Sequence, residues 1–240
     1  MNDGRYTMNM RNLYYCDLGL IDYKEAWDLQ RETFELRVNN KIPDVIYLLE
    51  HPNTYTLGKT ADHKNLVGSE EYLSSNKISV YDIDRGGDIT YHGPGQIVGY
   101  PIINLTDWQQ DTHKYLRALE ETIIQTCAEY GINSGRVPKY TGVWVEDRKI
   151  AAIGIKVTRW ITMHGFAFNV NTDLSFFSGI IPCGISDKDV TSIKREIKTD
   201  VPISEVKSRI IKKFARIFDY QDVTQLTKEE IFSVNLSTVK

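Results

Sequence analysis

Val143-Trp144-Val145-Glu146-Asp147-Arg148-Lys149-Ile150-Ala151-Ala152-Ile153-Gly154-Ile155-Lys156-Val157 reads as two strands joined by a polar turn. Val143 and Val145 alternate up to Glu146-Asp147-Arg148, and Ala151, Ile153, Ile155 and Val157 then alternate again. That is a hairpin with one buried face. Trp160 to Val170 predicts a third strand directly after it. Upstream, Val45 to Leu49, Ile78 to Asp82 and Ile97 to Ile103 are β-type runs bounded by Gly, Pro or Asn. Helices interrupt them at 3.6-residue spacing. Asp22 with Glu25 forms a capping arrangement for a stripe of Tyr23, Ala26/Trp27, Gln30, Phe34 and Val38. A second helix is expected from Asp111 to Gly131, on Leu116, Leu119, Ile123, Cys127 and Tyr130. A third runs from Pro202 to Phe218, and a short one follows Thr227, with Glu230 placed for its cap. Strands and helices mixed without regular βαβ alternation indicate an α+β protein whose mixed or antiparallel sheet is flanked by helices.

The 240 residues carry a formal net charge of -3 and 41% hydrophobic side chains. That charge gives no electrostatic footprint for nucleic acid or an anionic membrane. No apolar run is long enough to span a bilayer, and the amino terminus lacks a basic stretch followed by an apolar one. The expectation is a soluble cytoplasmic protein, and residues 1–240 without a linker or repeat read as a single domain. Three cysteines without Cys-x-x-Cys spacing argue against a disulfide framework and a thiolate zinc site. The scattered histidines 51, 63, 92, 113 and 164 form no metal-ligand pair, so neither metal nor cofactor is expected.

The densest chemical signal is Arg85-Gly86-Gly87-Asp88-Ile89-Thr90-Tyr91-His92-Gly93-Pro94-Gly95-Gln96. Its glycines suit two tight turns around a short strand, and equally a wall where a ligand approaches the backbone closely. It has neither a dinucleotide-binding glycine pattern nor a phosphate-loop lysine. Gly58-Lys59-Thr60 copies the end of a phosphate loop, but Asn53 stands where the first glycine is needed, which reduces Lys59 to a solvated turn residue.

Cys127 falls on a helical apolar stripe and Cys16 in a strand-like run, where cysteine acts as a small hydrophobe. Cys183 differs, because Ile181-Pro182-Cys183-Gly184-Ile185 excludes regular structure and can present a sulfur; structural and nucleophilic roles both remain open for it. A nucleophilic thiol needs a partner for its proton, since its ordinary pKa of about 8.5 leaves little thiolate at neutral pH. Lys149 shares the parity of Ala151, Ile153 and Ile155, which aims it toward the interior as a base or thiolate stabiliser. A strand-end lysine reaching out to water is the alternative.

Glu50-His51-Pro52 with Thr56-Leu57-Gly58-Lys59, Asp84 to Gln96, Lys149-Ile150-Ala151-Ala152-Ile153-Gly154, His164-Gly165-Phe166-Ala167-Phe168-Asn169 and Pro182-Cys183-Gly184-Ile185 occur in that order. The set resembles the octanoyltransferases of lipoate biosynthesis, the LipB family, over residues 13 to 215. The resemblance implies the catalytic-domain fold shared with biotin and lipoate protein ligases. It also implies transfer of an octanoyl group, without ATP, from octanoyl-acyl carrier protein to the lysine of lipoyl domains, in 2-oxoacid dehydrogenases and the glycine cleavage H protein. The family's thioester-forming cysteine falls on Cys183 and its pKa-lowering lysine on Lys149. The substrate-binding stretches fall on Arg85, Gly86, Gly87, Asp88, Ile89, Thr90, Tyr91 and His92, on Ala152, Ile153 and Gly154, and on Gly165, Phe166 and Ala167. The side-chain roles of Asp88 and Tyr91 stay unassigned. The small residues Ala152, Gly154 and Gly165 are expected to leave a tunnel for the acyl chain. Arg136, Lys139, Arg148, Lys156 and Arg159 are candidates for steering acidic carriers. An ATP-dependent ligase, which needs no cysteine, and a non-catalytic acyl-binding module, which needs neither Lys149 nor Cys183, are the competing readings.

Overall fold

In the computed structural model the Asp22 carboxylate accepts hydrogen bonds from the amides of Lys24 and Glu25, and Asp111 does the same for His113 and Lys114. Both side chains satisfy amides that a helix start leaves unpaired, so the two helices begin where the sequence signals them. Thr227 and Glu230 complete a reciprocal capping box. The structure describes residues 11–181 and 189–234. Along the chain come β1 (Asn12–Leu20), α1 (Tyr23–Val38), β2 (Asp44–Glu50), β3 (Thr54–Leu57), α2 (Glu70–Ser75), β4 (Ser79–Asp82), β5 (Ile89–His92) and β6 (Gln96–Ile102). They are followed by α3 (Thr112–Ala128), β7 (Gly135–Val137), β8 (Tyr140–Val145), β9 (Arg148–Thr158), β10 (Ile161–Asn169), β11 (Asp189–Val190), α4 (Ile193–Ile197), α5 (Ile203–Ile217), β12 (Asp222–Gln225) and α6 (Lys228–Ser233).

The larger sheet runs β12-β1-β2-β6-β10-β9-β8-β7, with β11 added beside β9. The β1 pairs with β2 and β12 and the β11–β9 pair are parallel, whereas the others from β2 to β7 are antiparallel, so the sheet is mixed as expected. Helices cover both faces. Ile123 and Cys127 of α3 and Ile210 and Phe214 of α5 pack with Ile46, Leu48, Val143 and Ala151 on one side. Ala26 and Leu29 of α1 and Ile231 of α6 pack with Val45, Tyr47, Val98 and Ala167 on the other. A second sheet, β4-β3-β5, lies over its own apolar cluster of Tyr55, Leu57, Ile89, Tyr91 and Ile180.

The buried face of α1 departs from the sequence stripe. It takes in Thr33 and Arg37 as its fully buried members, while Phe34 and Val38 are half-buried at its edge, packed against the same cluster. Both polar residues have fixed partners: the Thr33 hydroxyl lies 2.8 Å from that of Tyr47, and Arg37 Nε donates to the Asp44 carboxylate at 2.8 Å. Hydrophobic periodicity does not register polar groups that are buried because they are paired.

Candidate active site

A cavity of about 500 Å³ opens between the glycine-rich stretch before β5, the middle of β9 and β10, and the ends of β8 and β11. Arg85, Gly86, Gly87, Asp88, Ile89, Thr90, His92, Lys149, Ala152, Ile153, Gly154, Gly165, Phe166 and Ala167 all line it. Tyr91 does not. Its ring is buried against Phe176, and its hydroxyl donates to Asn53 Oδ1 at 2.9 Å, so alternation along β5 turns it to the other face. Cys183 lies outside the described residues.

Lys149 reaches the cavity by a route that strand parity does not foresee. Val145 and Trp144 pair with Arg148 and Lys149, but Val143 pairs with Ala151, leaving Ile150 as the extra residue of a β-bulge. The bulge puts Lys149 on the face of Trp144, opposite the face on which Ala151 and Val143 meet the α3/α5 core. Its Nζ stands 4.8 Å from the centroid of the Trp144 ring. Beyond the end of β10, β11 pairs with the same stretch of β9: Val190 is the register partner of Lys149, and the Thr191 amide donates to the Lys149 carbonyl at 2.9 Å.

Arg85 is buried and serves the wall itself. Its Nη2 donates to the carbonyl and hydroxyl of Thr56, at 2.8 and 3.0 Å, and its Nη1 to the Gly86 carbonyl at 3.0 Å. Two glycines exist for this packing. A Cβ on Gly154 would stand 2.7 Å from Arg85 Cδ, and one on Gly58 would stand 2.3 Å from the Gly87 carbonyl oxygen. Gly165 has a different reason, since a Cβ there would meet the Gly99 carbonyl oxygen of β6 at 2.2 Å. The expected acyl tunnel therefore does not follow from Gly154 and Gly165: the first seats an arginine and the second lets two strands approach. The amides of Gly58, Lys59 and Thr60 are consumed by the carbonyls of Asp88, Arg85 and Gly87, so this turn has no amide nest to offer a phosphate.

The sequence reading missed a polar network at another stretch of the cavity, in which His164 is buried and Asp84 and Lys156 are half-buried. Asp84 accepts from His164 Nε2 at 2.8 Å and from Lys156 Nζ at 2.6 Å, which holds its carboxyl well below the usual range. Burial lowers the His164 pKa and the Asp84 contact opposes it. His92 is also buried, with its ring nitrogens 3.2 Å from the Thr56 hydroxyl and 3.0 Å from Gln96 Oε1; burial pushes its pKa far down. Tyr23 and Tyr100 line this stretch too, and the Tyr100 hydroxyl lies 2.8 Å from His51 Nε2. Ile155, the partner of His164, is six residues along β9 from Lys149, or about 20 Å at strand rise. Lys149 and His164 therefore line the cavity at two well-separated stretches of β9 and β10. Asp84 and His164 each begin one of the ordered motif stretches, but nothing in the sequence pairs them with each other or with Lys156.

The expected steering cluster is mostly engaged elsewhere. Arg136 is paired with Glu120 and Glu121, Arg148 with Glu146 and Glu196, and Lys156 with Asp84. Among the described residues no His, Cys, Asp or Glu cluster could hold a metal ion, and no helix is long and apolar enough to cross a membrane.

Residues 22–215 match the model of the lipoyl protein ligase A/B catalytic domain. The chain is 52% identical over 219 residues to the octanoyltransferase of Rubrobacter xylanophilus, covering 90% of this chain and 96% of that one. It is 49% identical over 219 residues to the octanoyltransferase of Christiangramia forsetii, covering 84% and 94%. Its fold is similar to a bipartite lipoate protein ligase of Thermoplasma acidophilum, with a TM-score of 0.72 at 17% identity over 95% of this chain and 94% of that one. At such identity this likeness speaks for the fold alone, whereas the match over most of the chain at half identity speaks for descent: the chain belongs to the lipoyl protein ligase A/B catalytic-domain family and, within it, to the octanoyltransferases.

Proposed function

We propose that this chain is an octanoyltransferase of lipoate biosynthesis that works through a thioester on Cys183, with Lys149 managing the protons. The register of β11 on β9 supports this most directly. Val190 lies opposite Lys149, and Cys183 is only seven residues earlier, a length of chain that reaches at most about 25 Å. The lysine also lines a cavity of about 500 Å³, large enough for an eight-carbon chain. Burial of about seven methylene or methyl units gives an upper estimate of about 6 kcal/mol.

The chemistry needs one proton shuttle. The Lys149 ammonium stabilises the Cys183 thiolate, whose sulfur attacks the carbonyl of the donor thioester. The donor carbon–sulfur bond breaks, and the departing thiolate takes the proton of Lys149. The neutral Lys149 amine then accepts a proton from the acceptor's lysine amine as that amine attacks the acyl-enzyme. An amide forms, the Cys183 carbon–sulfur bond breaks, and the ammonium–thiolate pair returns. Exchange between thioesters is near balance, so no ATP is consumed. The acceptors are lipoyl-domain proteins. In the finer reading, octanoyl-acyl carrier protein is the donor, the lipoyl domains of 2-oxoacid dehydrogenases and the glycine cleavage H protein are acceptors, and the chain acts as one catalytic domain in the cytoplasm without a cofactor. Arg85 to His92, Ala152 to Gly154 and Gly165 to Ala167 form the acyl-binding wall, with Tyr91 acting through packing.

The decisive experiment is intact mass after incubation with octanoyl-acyl carrier protein and no ATP. One octanoyl adduct mapping to Cys183, lost in Cys183→Ala, is the expected result. Labelling that survives that substitution or requires ATP removes the thioester mechanism in favour of a ligase.

A further inference from the structure

Arg85, Lys149 and Lys139 are the lysine and arginine side chains that line the cavity. Arg85 is committed to Thr56 and to the Gly86 carbonyl, and Lys149 stands over the Trp144 ring. Lys139 is different. It is exposed, and among the described residues no hydrogen-bond or ion-pair partner is placed at its amine. Arg136, three residues earlier, is held by Glu120 and Glu121. The backbone of Lys139 is unusual as well. Val137 and Tyr140 are register partners of β7 and β8, so Pro138-Lys139 forms a two-residue hairpin loop. Its second place takes a φ of 73° at Lys139, left-handed backbone where glycine or asparagine is usual. The turn keeps a lysine against its local preference, and that lysine lines the cavity.

One face of β8 joins the two lysines. Tyr140, Gly142 and Trp144 alternate onto it, and the rings of Tyr140 and Trp144 lie 5.9 Å apart. Gly142 leaves the space between them open, and a Cβ there would stand 3.6 Å from Lys149 Cδ. Lys139 is three residues from Gly142, or about 10 Å at strand rise. Its side chain extends about 6 Å beyond its own Cα. The Lys139 amine can therefore hold a group up to about 16 Å from the stem of Lys149.

We propose that Lys139 binds the phosphate of the donor's phosphopantetheine arm, the group that bears the thioester on acyl carriers. This rests on the reading of the chain as an octanoyltransferase fed by an acyl carrier. About thirteen bonds separate the phosphorus of that arm from the thioester sulfur, a span of about 16 Å when extended. With the thioester beside Lys149, the phosphate falls within reach of Lys139, and the middle of the arm crosses Gly142. An ammonium without a carboxylate partner is the charge such a phosphate needs. The acceptor fits this place less well. Its lysine amine is only about 6 Å from its own Cα, so charges flanking that lysine fall closer to Lys149.

The test compares octanoyl-phosphopantetheine with octanoyl-pantetheine, which differ only in the phosphate, with a lipoyl domain as acceptor. The unaltered protein should favour the phosphorylated donor by about three- to tenfold in kcat/KM and lose that preference at high salt. Lys139→Gly should bring the ratio close to one without lowering the melting temperature, because glycine suits the turn. Lys139→Arg should keep the ratio and Lys139→Glu should reverse it. Lys77→Gly is the control, an exposed lysine with φ 51° that does not line the cavity, and it should keep the ratio. Octanoyl-acyl carrier protein should lose as much in Lys139→Gly as octanoyl-phosphopantetheine does. Coenzyme A ends its arm in the same phosphate, and a loss seen with octanoyl-coenzyme A but not with the carrier protein overturns the carrier as its source.

A ratio near one in the unaltered protein overturns the proposal. So does a ratio that survives Lys139→Gly, or a loss that follows the concentration of the lipoyl domain instead of the donor. Failure of the unaltered protein to transfer octanoyl from any of these donors refutes the underlying function, whereas transfer that ignores the phosphate refutes only the role of Lys139.

Discussion

Lys149 and Trp144 are register partners across β8 and β9, with the lysine Nζ 4.8 Å from the centroid of the indole ring. The ring is buried and its face attracts a cation, so it forms a platform that holds the amine of a lysine lining the cavity. Replacing Trp144 by Phe weakens that platform and replacing it by Leu removes it. Octanoyl transfer should fall in the order Trp, Phe, Leu, by about three- to thirtyfold for the last step, as the energy of such a contact implies. Lys149→Ala should also slow Cys183 alkylation at neutral pH, with recovery as pH rises. Equal rates for the Phe and Leu variants would show that the ring face is irrelevant.

Gly154→Ala adds a methyl 2.7 Å from Arg85 Cδ and 2.9 Å from the Gly86 carbonyl oxygen. The wall must move, because one neighbour is backbone and the other is an arginine held at both ends by hydrogen bonds. We expect a loss of about 1–3 kcal/mol in stability and a clear rise in KM for octanoyl thioesters. Gly135→Ala is the control, since a Cβ there meets nothing within 4 Å. Chemical denaturation and steady-state kinetics of both variants read the two effects separately.

Lys156→Glu sets a second carboxylate against Asp84, where the lysine now donates at 2.6 Å. Because Asp84 also binds His164 and directly precedes Arg85, the damage should reach the wall rather than a docking surface. Reaction with carrier-bound and small octanoyl thioesters should fall together. A loss seen only with the carrier protein would assign Lys156 to docking instead.

Acid should unfold the protein through its buried histidines. Burial lowers His51 to about 4 and lowers His92 and His164 as well. Each is neutral in the fold near neutral pH, while in the unfolded chain each takes up a proton near its ordinary value of about 6.5. The unfolded state thus binds more protons below that value, so stability is full above about pH 6.5 and declines toward pH 4. Urea unfolding followed between pH 7.5 and 4.5 should show a falling midpoint and an uptake of about two to three protons near pH 5. Asp84, whose pKa is depressed by His164 and Lys156, adds its own loss only below about pH 4. A midpoint that is flat down to pH 5 would contradict the neutral state of these histidines.

Local patterns told most of the fold. Asp22, Asp111 and Thr227 mark helix starts because a cap is made within three residues, and Glu146-Asp147 turns the hairpin because the turn is settled by its own backbone. The glycine-rich block, the lysine strand and the His164-Gly165-Phe166-Ala167 run were also legible, and they do meet around one cavity. The face that Lys149 occupies was not legible. Counting by twos along β9 cannot register an extra residue at Ile150, which exists only relative to the partner strand β8.

The sequence alone determined which elements form and which chemical groups the chain owns, because capping, turn chemistry and hydrophobic period act over a few residues. Tertiary structure decided what those groups touch. It assigned Gly154 to Arg85, Gly165 to the carbonyl of Gly99, Lys156 to Asp84, and Asp88 to the turn that carries Ile181. Asp84 and His164 are 80 residues apart, and Asp84 and Lys156 are 72 apart. Contacts of that range depend on how sheets and turns pack against one another, and no local propensity encodes them.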